Sequence, residues 1–523
     1  MSKPQTRASN KYNAKAYDRL AIQVKKGRKA DIQSAAELQG ESLNAYVVKA
    51  VEQRMQTEQY EKNNRKGTPM DKIFSYIDSH AEEMIADLRR LVHIPSVMGE
   101  AAEGAPFGEM PARALAEMLE MCSEAGLHIR NIDSYVGTAD FYHANGTPDL
   151  GILCHLDVVP EGSGWSVQPF ELTEKDGRLY GRGAIDDKGP AAAVLFAVKA
   201  LKAVGTKPEK NFRLIFGTNE ENGSADLAYY RKKEKLPEMI FTPDGSYPVI
   251  NAEKGMLRVT HKLAVCQKII SISGGKAVNA VPEYAEAVLD ITNAGISGYT
   301  SKFEGVTIAA EHIDSRTKIT ARGKGAHAST PENGANAVTA LISAVSEISG
   351  DTALAALSGM FPYGETDGSA AGIKCSDEIS GGLTTVLSVI NCSDGILEAK
   401  QDVRFPISKT SGEILTALAE KAAASGIELN ADMISEPHYV PDDSVLIKKL
   451  LEVYELVTGE KGYCVAIGGG TYVHETVGGV AFGAEFPGEE NNMHSADESI
   501  SRESLIKNAK IFAAAICSLC GVK

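Results

Sequence analysis

Hydrophobic and polar positions divide the chain into stretches of different character. The runs PDLGILC (to Cys154) and FRLIF (to Phe216) are apolar without a polar face and stop abruptly at charged side chains, the pattern of strands buried on both sides of an open α/β sheet. From Met70, MDKIFSYIDSHAEEMIADLRRLVHIPSV places apolar residues at helical spacing. Between Glu253 and Ile434, strand-like and helix-like patterns alternate. There TKITARGKGAHASTPENGANAVTALISAVSEI reads as a strand, a loop carrying His327 and a helix, and LTTVLSVINCSDGILEAKQDVRFP reads as two strands turning at Ser393-Asp394-Gly395. Such alternation predicts a two-layer α/β domain able to act as a lid.

The beginning of the chain has a different pattern. In YDRLAIQVK, Leu20, Ile22 and Val24 fall on one face and Arg19, Ala21 and Gln23 on the other, as in a strand. RKADIQSAAELQ follows at helical spacing, Gly40 is a stop, and LNAYVVKAVEQRM is a second amphipathic helix. The predicted organisation is a small domain over 1–57, a polar linker over 58–69, a catalytic domain over 70–251 that resumes over 435–523, and a lid over 252–434. No internal repeat or low-complexity tract interrupts it.

Charge sharpens this division. Residues 1–69 carry 14 Lys and Arg against 7 Asp and Glu, a net of +7, so the remainder carries −22 to give the −15 of the whole chain. A basic head on an acidic body points to a polyanion as one partner of the head. At 523 residues and 43% hydrophobic, the chain can support three or four cores. No apolar run reaches the roughly 18 residues of a membrane span, and the polar N-terminus is not a signal peptide. Eight cysteines, among them Cys154, Cys266 and Cys392 in strand-like contexts, read as buried free thiols of a reducing, cytoplasmic compartment. Cys517 and Cys520 form a lone C-x-x-C with no second pair to complete a zinc ribbon.

The candidate chemistry lies in clusters spread over some 340 residues: His155 and Asp157 in LCHLDVVP, Asp186 and Asp187 in GRGAIDDKGP, Glu220 and Glu221 in FGTNEENG, Asp244 in FTPDG and His494 in NNMHSADE. Each motif alone is weak, since His-x-Asp is commonly a satisfied pair and Glu-Glu a solvated helix face. Together they form a mixed nitrogen and oxygen donor set without cysteine, suited to zinc, manganese or cobalt in an open, catalytic site. The i, i+2 spacing lets the Asp157 carboxylate accept the spare ring N–H of His155. Glu220 and Glu221 repel each other unless a cation or proton separates them, which predicts one ligand and one proton carrier.

These motifs resemble the co-catalytic di-zinc exopeptidase family of peptidase V, carboxypeptidase G, succinyl-diaminopimelate desuccinylase and carnosinase, over about residues 70 to 523. The resemblance implies two divalent metal ions, with His155 and Asp244 on one, Glu221 and His494 on the other, Asp186 bridging and followed by a cis peptide, and Glu220 as general base. It implies that His327 reaches from the lid to the oxyanion, that Asn279 (before Val-Pro) and Arg404 (in QDVRFP) hold the substrate, and that Gly468, Gly469 and Gly470 line its pocket. The implied activity is hydrolysis of dipeptides. A deacylase, desuccinylase or carboxypeptidase of the same family, or a DNA-binding regulator with a ligand-sensing body, remain alternatives. Many relatives place Ala-Arg or Gly-Arg after Gly-Gly-Gly-Thr-Tyr, whereas here Val473 and His474 follow.

The head resembles the ribbon-helix-helix fold of Arc and MetJ-type repressors. That resemblance implies a homodimer reading a DNA major groove with Arg19, Ala21 and Gln23, with Lys25, Lys26 and the loop to Lys29 near phosphate. Met70 resembles the natural start of a free-standing peptidase V, as in a fusion of two proteins.

Overall fold

The computed structural model describes residues 24, 28–51, 54, 67–143, 146–292 and 302–522. The expected strand Tyr17–Lys25, with Arg19, Ala21, Gln23 and Lys25, therefore lies outside the described residues but for Val24. The chain forms two compact units, residues 1–79 and 80–523.

In the first unit, Arg28–Leu38 is a helix and Gly40 follows it at a φ of 68°, the left-handed conformation glycine accepts without strain. A second helical stretch covers 43–51, capped by Ser42 Oγ, which accepts from the Ala45 N–H at 3.2 Å. The helical pattern from Met70 divides into Pro69–Ser79 and, in the second unit, Ala81–Val92; His80 breaks it with φ −121°.

The second unit contains two large sheets. The first has nine strands and carries three parallel neighbours at its centre, Phe212–Gly217, Leu150–His155 and Met239–Thr242. Every residue of Phe212–Gly217 and Leu150–His155 is buried. Helices Ala81–Val92, Lys188–Val204, Arg502–Cys520 and Val445–Thr458 pack in that order against one another beside it. Ala191, Ala192 and Ala193 in Lys188–Val204 and Ala513, Ala514 and Ala515 in Arg502–Cys520 are buried small residues, which allow the close approach of these two helices.

The chain leaves this sheet after Glu253, builds a second sheet, and returns at His438. The second sheet has eight strands, all antiparallel, from Thr307–Ile313 at one edge to Glu428–Ser435 at the other. Helices Ala337–Ser349, Thr352–Met360 and Ser411–Ala424 pack on it, with Leu341, Ile342 and Val345 meeting Ile272, Ile319 and Leu387 in one core. Two layers follow from the alternating burial of its strands, as in Gly255–Ala264. The central hairpin joins Thr384–Ser393 to Ile396–Phe405 through Asp394 and Gly395, at φ 53° and 76°, the two-residue turn that matches strand twist. All eight cysteines are free; Cys266, expected in a strand, instead follows Gly255–Ala264 in a turn and is part-exposed.

Candidate metal centre

The three central parallel strands deliver their polar ends to one crevice, the usual ligand position of an α/β sheet. His155 closes Leu150–His155, Glu220 and Glu221 follow Phe212–Gly217, and Asp244 follows Met239–Thr242. Asp186 comes from the buried loop before helix Lys188–Val204, and its peptide bond to Asp187 is cis. His494 arrives from the segment before Ser499–Ser501, with φ 59°.

Asp186 presents one carboxylate oxygen to each imidazole. Its Oδ1 lies 2.9 Å from His155 Nε2 and its Oδ2 lies 2.6 Å from His494 Nε2. Asp244 Oδ2 is 3.7 Å from His155 Nε2, and Glu221 Oε1 is 3.3 Å from His494 Nε2. Ligand atoms of His155, Asp186 and Glu221, and of His155, Glu220 and Asp244, each converge within 4.8 Å and could hold a metal ion.

The partner of His155 Nδ1 differs from the sequence expectation. The Asp157 main-chain carbonyl accepts it at 3.0 Å, while the Asp157 carboxylate stands at 3.5 Å. That carboxylate accepts the Glu220 and Glu221 N–H groups at 3.1 and 3.2 Å, so it holds the acidic turn instead. The i, i+2 rule places both side chains on one face but does not decide which oxygen meets the ring. With Nδ1–H donated to a carbonyl, Nε2 is the ring atom that could bind a metal ion.

Electrostatics fit a bound dication. Burial pushes the Glu220 carboxyl well above its ordinary range, and burial with the charges of Asp186 and Glu221 raises Asp244 to about 7. Burial also opposes ionisation of Asp186, yet the imidazoles of His155 and His494 hold it below the usual range. His494 is raised to about 11 by Asp186 and Glu221. Glu221 Oε1 is buried with no aligned hydrogen-bond donor. Crowded carboxylates, an orphan buried oxygen and two imidazoles form a donor set that divalent ions satisfy.

Several further residues support the site, and none of them was given this supporting role by the sequence. Glu498 is buried; its Oε1 accepts the N–H groups of Ile185 and Asp186 at 3.1 and 3.3 Å, and its Oε2 takes Arg182 Nη1 at 2.5 Å. Asp187 Oδ2 accepts the His155 N–H at 3.0 Å. Asp226 Oδ2 accepts the N–H groups of Thr218 and Asn219 and the Tyr472 hydroxyl, which fixes the approach to Glu220. Glu498 stands four positions after His494, and that proximity was the one sequence signal for it.

The lid residues form a second group. His327 is exposed in a two-residue strand, Ala326–His327, paired with Ala280–Val281 so that the Asn279 carbonyl accepts the Ala328 N–H at 2.9 Å. The Ser329 N–H donates to His327 Nδ1 at 3.3 Å and Ser329 Oγ lies 2.7 Å from it. An accepting Nδ1 leaves the proton on Nε2, as a hydrogen-bond donor. Burial, then the charge of Arg404 and, more weakly, that of His494, lower the pKa of this ring.

Arg404 is buried rather than presented as a free fork. Its Nε and Nη2 bond the Asp402 carboxylate at 2.6 and 3.1 Å, and Nη1 donates to the Gly468 carbonyl at 3.1 Å. None of Gly468, Gly469 and Gly470 adopts positive φ; at Gly468 a Cβ would sit 2.8 Å from Ser329 Cβ, so close approach is what requires glycine there.

Comparison with known proteins gives the same architecture. The chain is 34% identical over 456 residues, 84% of its length and 97% of the relative's, to "Putative dipeptidase YtjP" of Bacillus subtilis (strain 168). It is 31% identical over 468 residues to the Beta-Ala-Xaa dipeptidase of Lactobacillus delbrueckii subsp. lactis, covering 84% of this chain and 97% of that one. The structure of human carnosine dipeptidase 1 shares the fold, with a TM-score of 0.55 at 18% identity over 87% of this chain and 99% of that one. The model of peptidase family M20/M25/M40 matches residues 151–518, and on that match the chain belongs to this family and is a metallopeptidase.

Proposed function

We propose that the chain is a dinuclear metal-dependent dipeptidase. The observation that carries this reading is Asp186, one oxygen against each of two imidazoles that in turn face Asp244 and Glu221. The proposed ligands are His155 and Asp244 for one ion, Glu221 and His494 for the other, and Asp186 between them. Zinc is the proposed metal, with manganese or cobalt satisfying the same donors. When bound, two such ions would supply Lewis acidity and lower the pKa of a water molecule.

Glu220 is the proposed proton carrier. Its raised pKa makes it a stronger base than an ordinary carboxylate once ionised, suited to taking a proton as water attacks the scissile carbonyl and returning it to the leaving amine. His327 Nε2–H is the proposed donor to the oxyanion. Arg404, Asn279 and Gly468 to Gly470 are proposed to hold the substrate. The dipeptidase names of the relatives support dipeptides over acylated amines. Eight free cysteines support a reducing, cytoplasmic setting, and no helix among the described residues is long and apolar enough to cross a membrane.

The head carries a second proposal, a ribbon-helix-helix dimer that binds double-stranded DNA. Its support is the order helix, left-handed Gly40, capped helix within 28–51, together with the +7 charge.

Hydrolysis of a dipeptide panel by the full-length protein, stripped of metal and then refilled, tests the main proposal. Cleavage should disappear on stripping and return with zinc or manganese. Stoichiometric metal binding without cleavage of any dipeptide would reject it.

A further inference from the structure

The chain passes between its two sheets twice, outward at Glu253–Gly255 and back at Ser435–His438. One side chain touches both crossings. His474 Nδ1 lies 2.7 Å from Glu253 Oε2, and Nε2 lies 2.7 Å from the Glu436 carbonyl oxygen and 2.8 Å from Ser435 Oγ. A carboxylate and a carbonyl can only accept, so both ring nitrogens carry protons and the ring is an imidazolium. The pair is well removed from water, His474 being 9% and Glu253 1% exposed in their side chains.

Glu253 extends the connection. Its Oε1 accepts the Thr471 N–H and hydroxyl at 3.2 and 2.7 Å, while the Lys254 N–H donates to the Ile467 carbonyl at 3.0 Å. The Gly468–Gly470 loop is thereby fixed at both ends to the outward crossing. That loop accepts Arg404 at Gly468 and abuts Ser329, which holds the His327 ring.

We propose that His474 is a positively charged clasp at the root of the lid. It is a positioning residue, tying both crossings and the glycine loop together so that Arg404 and His327 face the metal ligands. The effect on turnover rests on the dipeptidase reading above; the clasp itself does not.

The surroundings suit a cation. Glu253 faces the ring from its strand and Glu475 from its own turn, with Arg231 bonded to Glu475. The Glu436 carboxylate is turned away to Ser411, and His438, at a ring distance of 6.1 Å, gives its Nε2–H to the Gly479 carbonyl. Burial opposes the charge on His474, and Glu253, the Glu436 carbonyl and Glu475 outweigh it, leaving the pKa above its ordinary value. The clasp is therefore fully present below the ordinary histidine pKa and is lost as pH rises through the raised one.

The test uses the full-length protein labelled in its histidine ring nitrogens, with His474→Gln assigning the signal. At neutral pH, His474 should show two protonated nitrogens. His474→Gln and Glu253→Gln should each accelerate amide exchange over 435–438 and 467–471, and should raise KM for dipeptides by about tenfold with a smaller change in kcat. The double variant should be no worse than either single one. A neutral ring at neutral pH, or unchanged exchange in both single variants, would overturn the proposal. Ring state and exchange need no substrate, so they judge the clasp even where no dipeptide is cleaved.

Discussion

Two adjacent glutamates occupy different places in one short turn. Both backbone N–H groups are held by Asp157, yet Glu221 meets His494 while Glu220 joins His155 and Asp244. If Glu220 carries the proton, Glu220→Gln should lower kcat by about 10²- to 10⁴-fold, with two metal ions still bound per chain. Metal analysis beside steady-state kinetics checks this; near-normal turnover would move the role elsewhere. At this scale His155, Glu221 and Asp244 were legible as polar residues that end or follow apolar runs, whereas Asp186 and His494 were legible only through the family resemblance. What was not legible was atomic: the choice between the carbonyl and carboxylate of Asp157, and the engagement of Arg404 by Asp402, depend on rotamers that no spacing encodes.

Elements place these residues with different degrees of support. Strand ends fix His155 and Asp244, whereas Asp186 sits in a loop whose amides are held by Glu498, itself neutralised by buried Arg182. Removing the Glu498 charge should loosen Asp186 without removing a ligand. Glu498→Gln is expected to weaken metal binding by about 10- to 100-fold, read by competition with a chelator; unchanged affinity would show that the loop holds its shape unaided. The central parallel strands were legible as continuous apolar runs, and the hairpin at Asp394-Gly395 by its turn residues. The strand Ala326–His327 was not, because two residues have no periodicity and their pairing with Ala280–Val281 is set by tertiary contacts.

For the whole molecule, the charge contrast between a head of +7 and a body of −22 was visible from composition alone. The functions of the two parts should be separable. Removing residues 1–69 is expected to leave dipeptide hydrolysis within about twofold, since the metal-ligand cluster lies wholly within 80–523, while abolishing retention on double-stranded DNA and the head-mediated dimer. Gel-shift and light-scattering measurements on both forms check it, and equal DNA retention would reject the DNA-binding head. The order of the proposed ligands along the chain has a temporal consequence. His155, Asp186, Glu221 and Asp244 precede the excursion into the second sheet, whereas His494 and its neighbour Glu498 follow it. At ordinary ribosomal speeds the intervening stretch takes roughly ten to fifty seconds to synthesise. Throughout that interval the nascent chain holds only part of the proposed dinuclear site, so the proposed hydrolysis has to wait until the segment carrying His494 has been made.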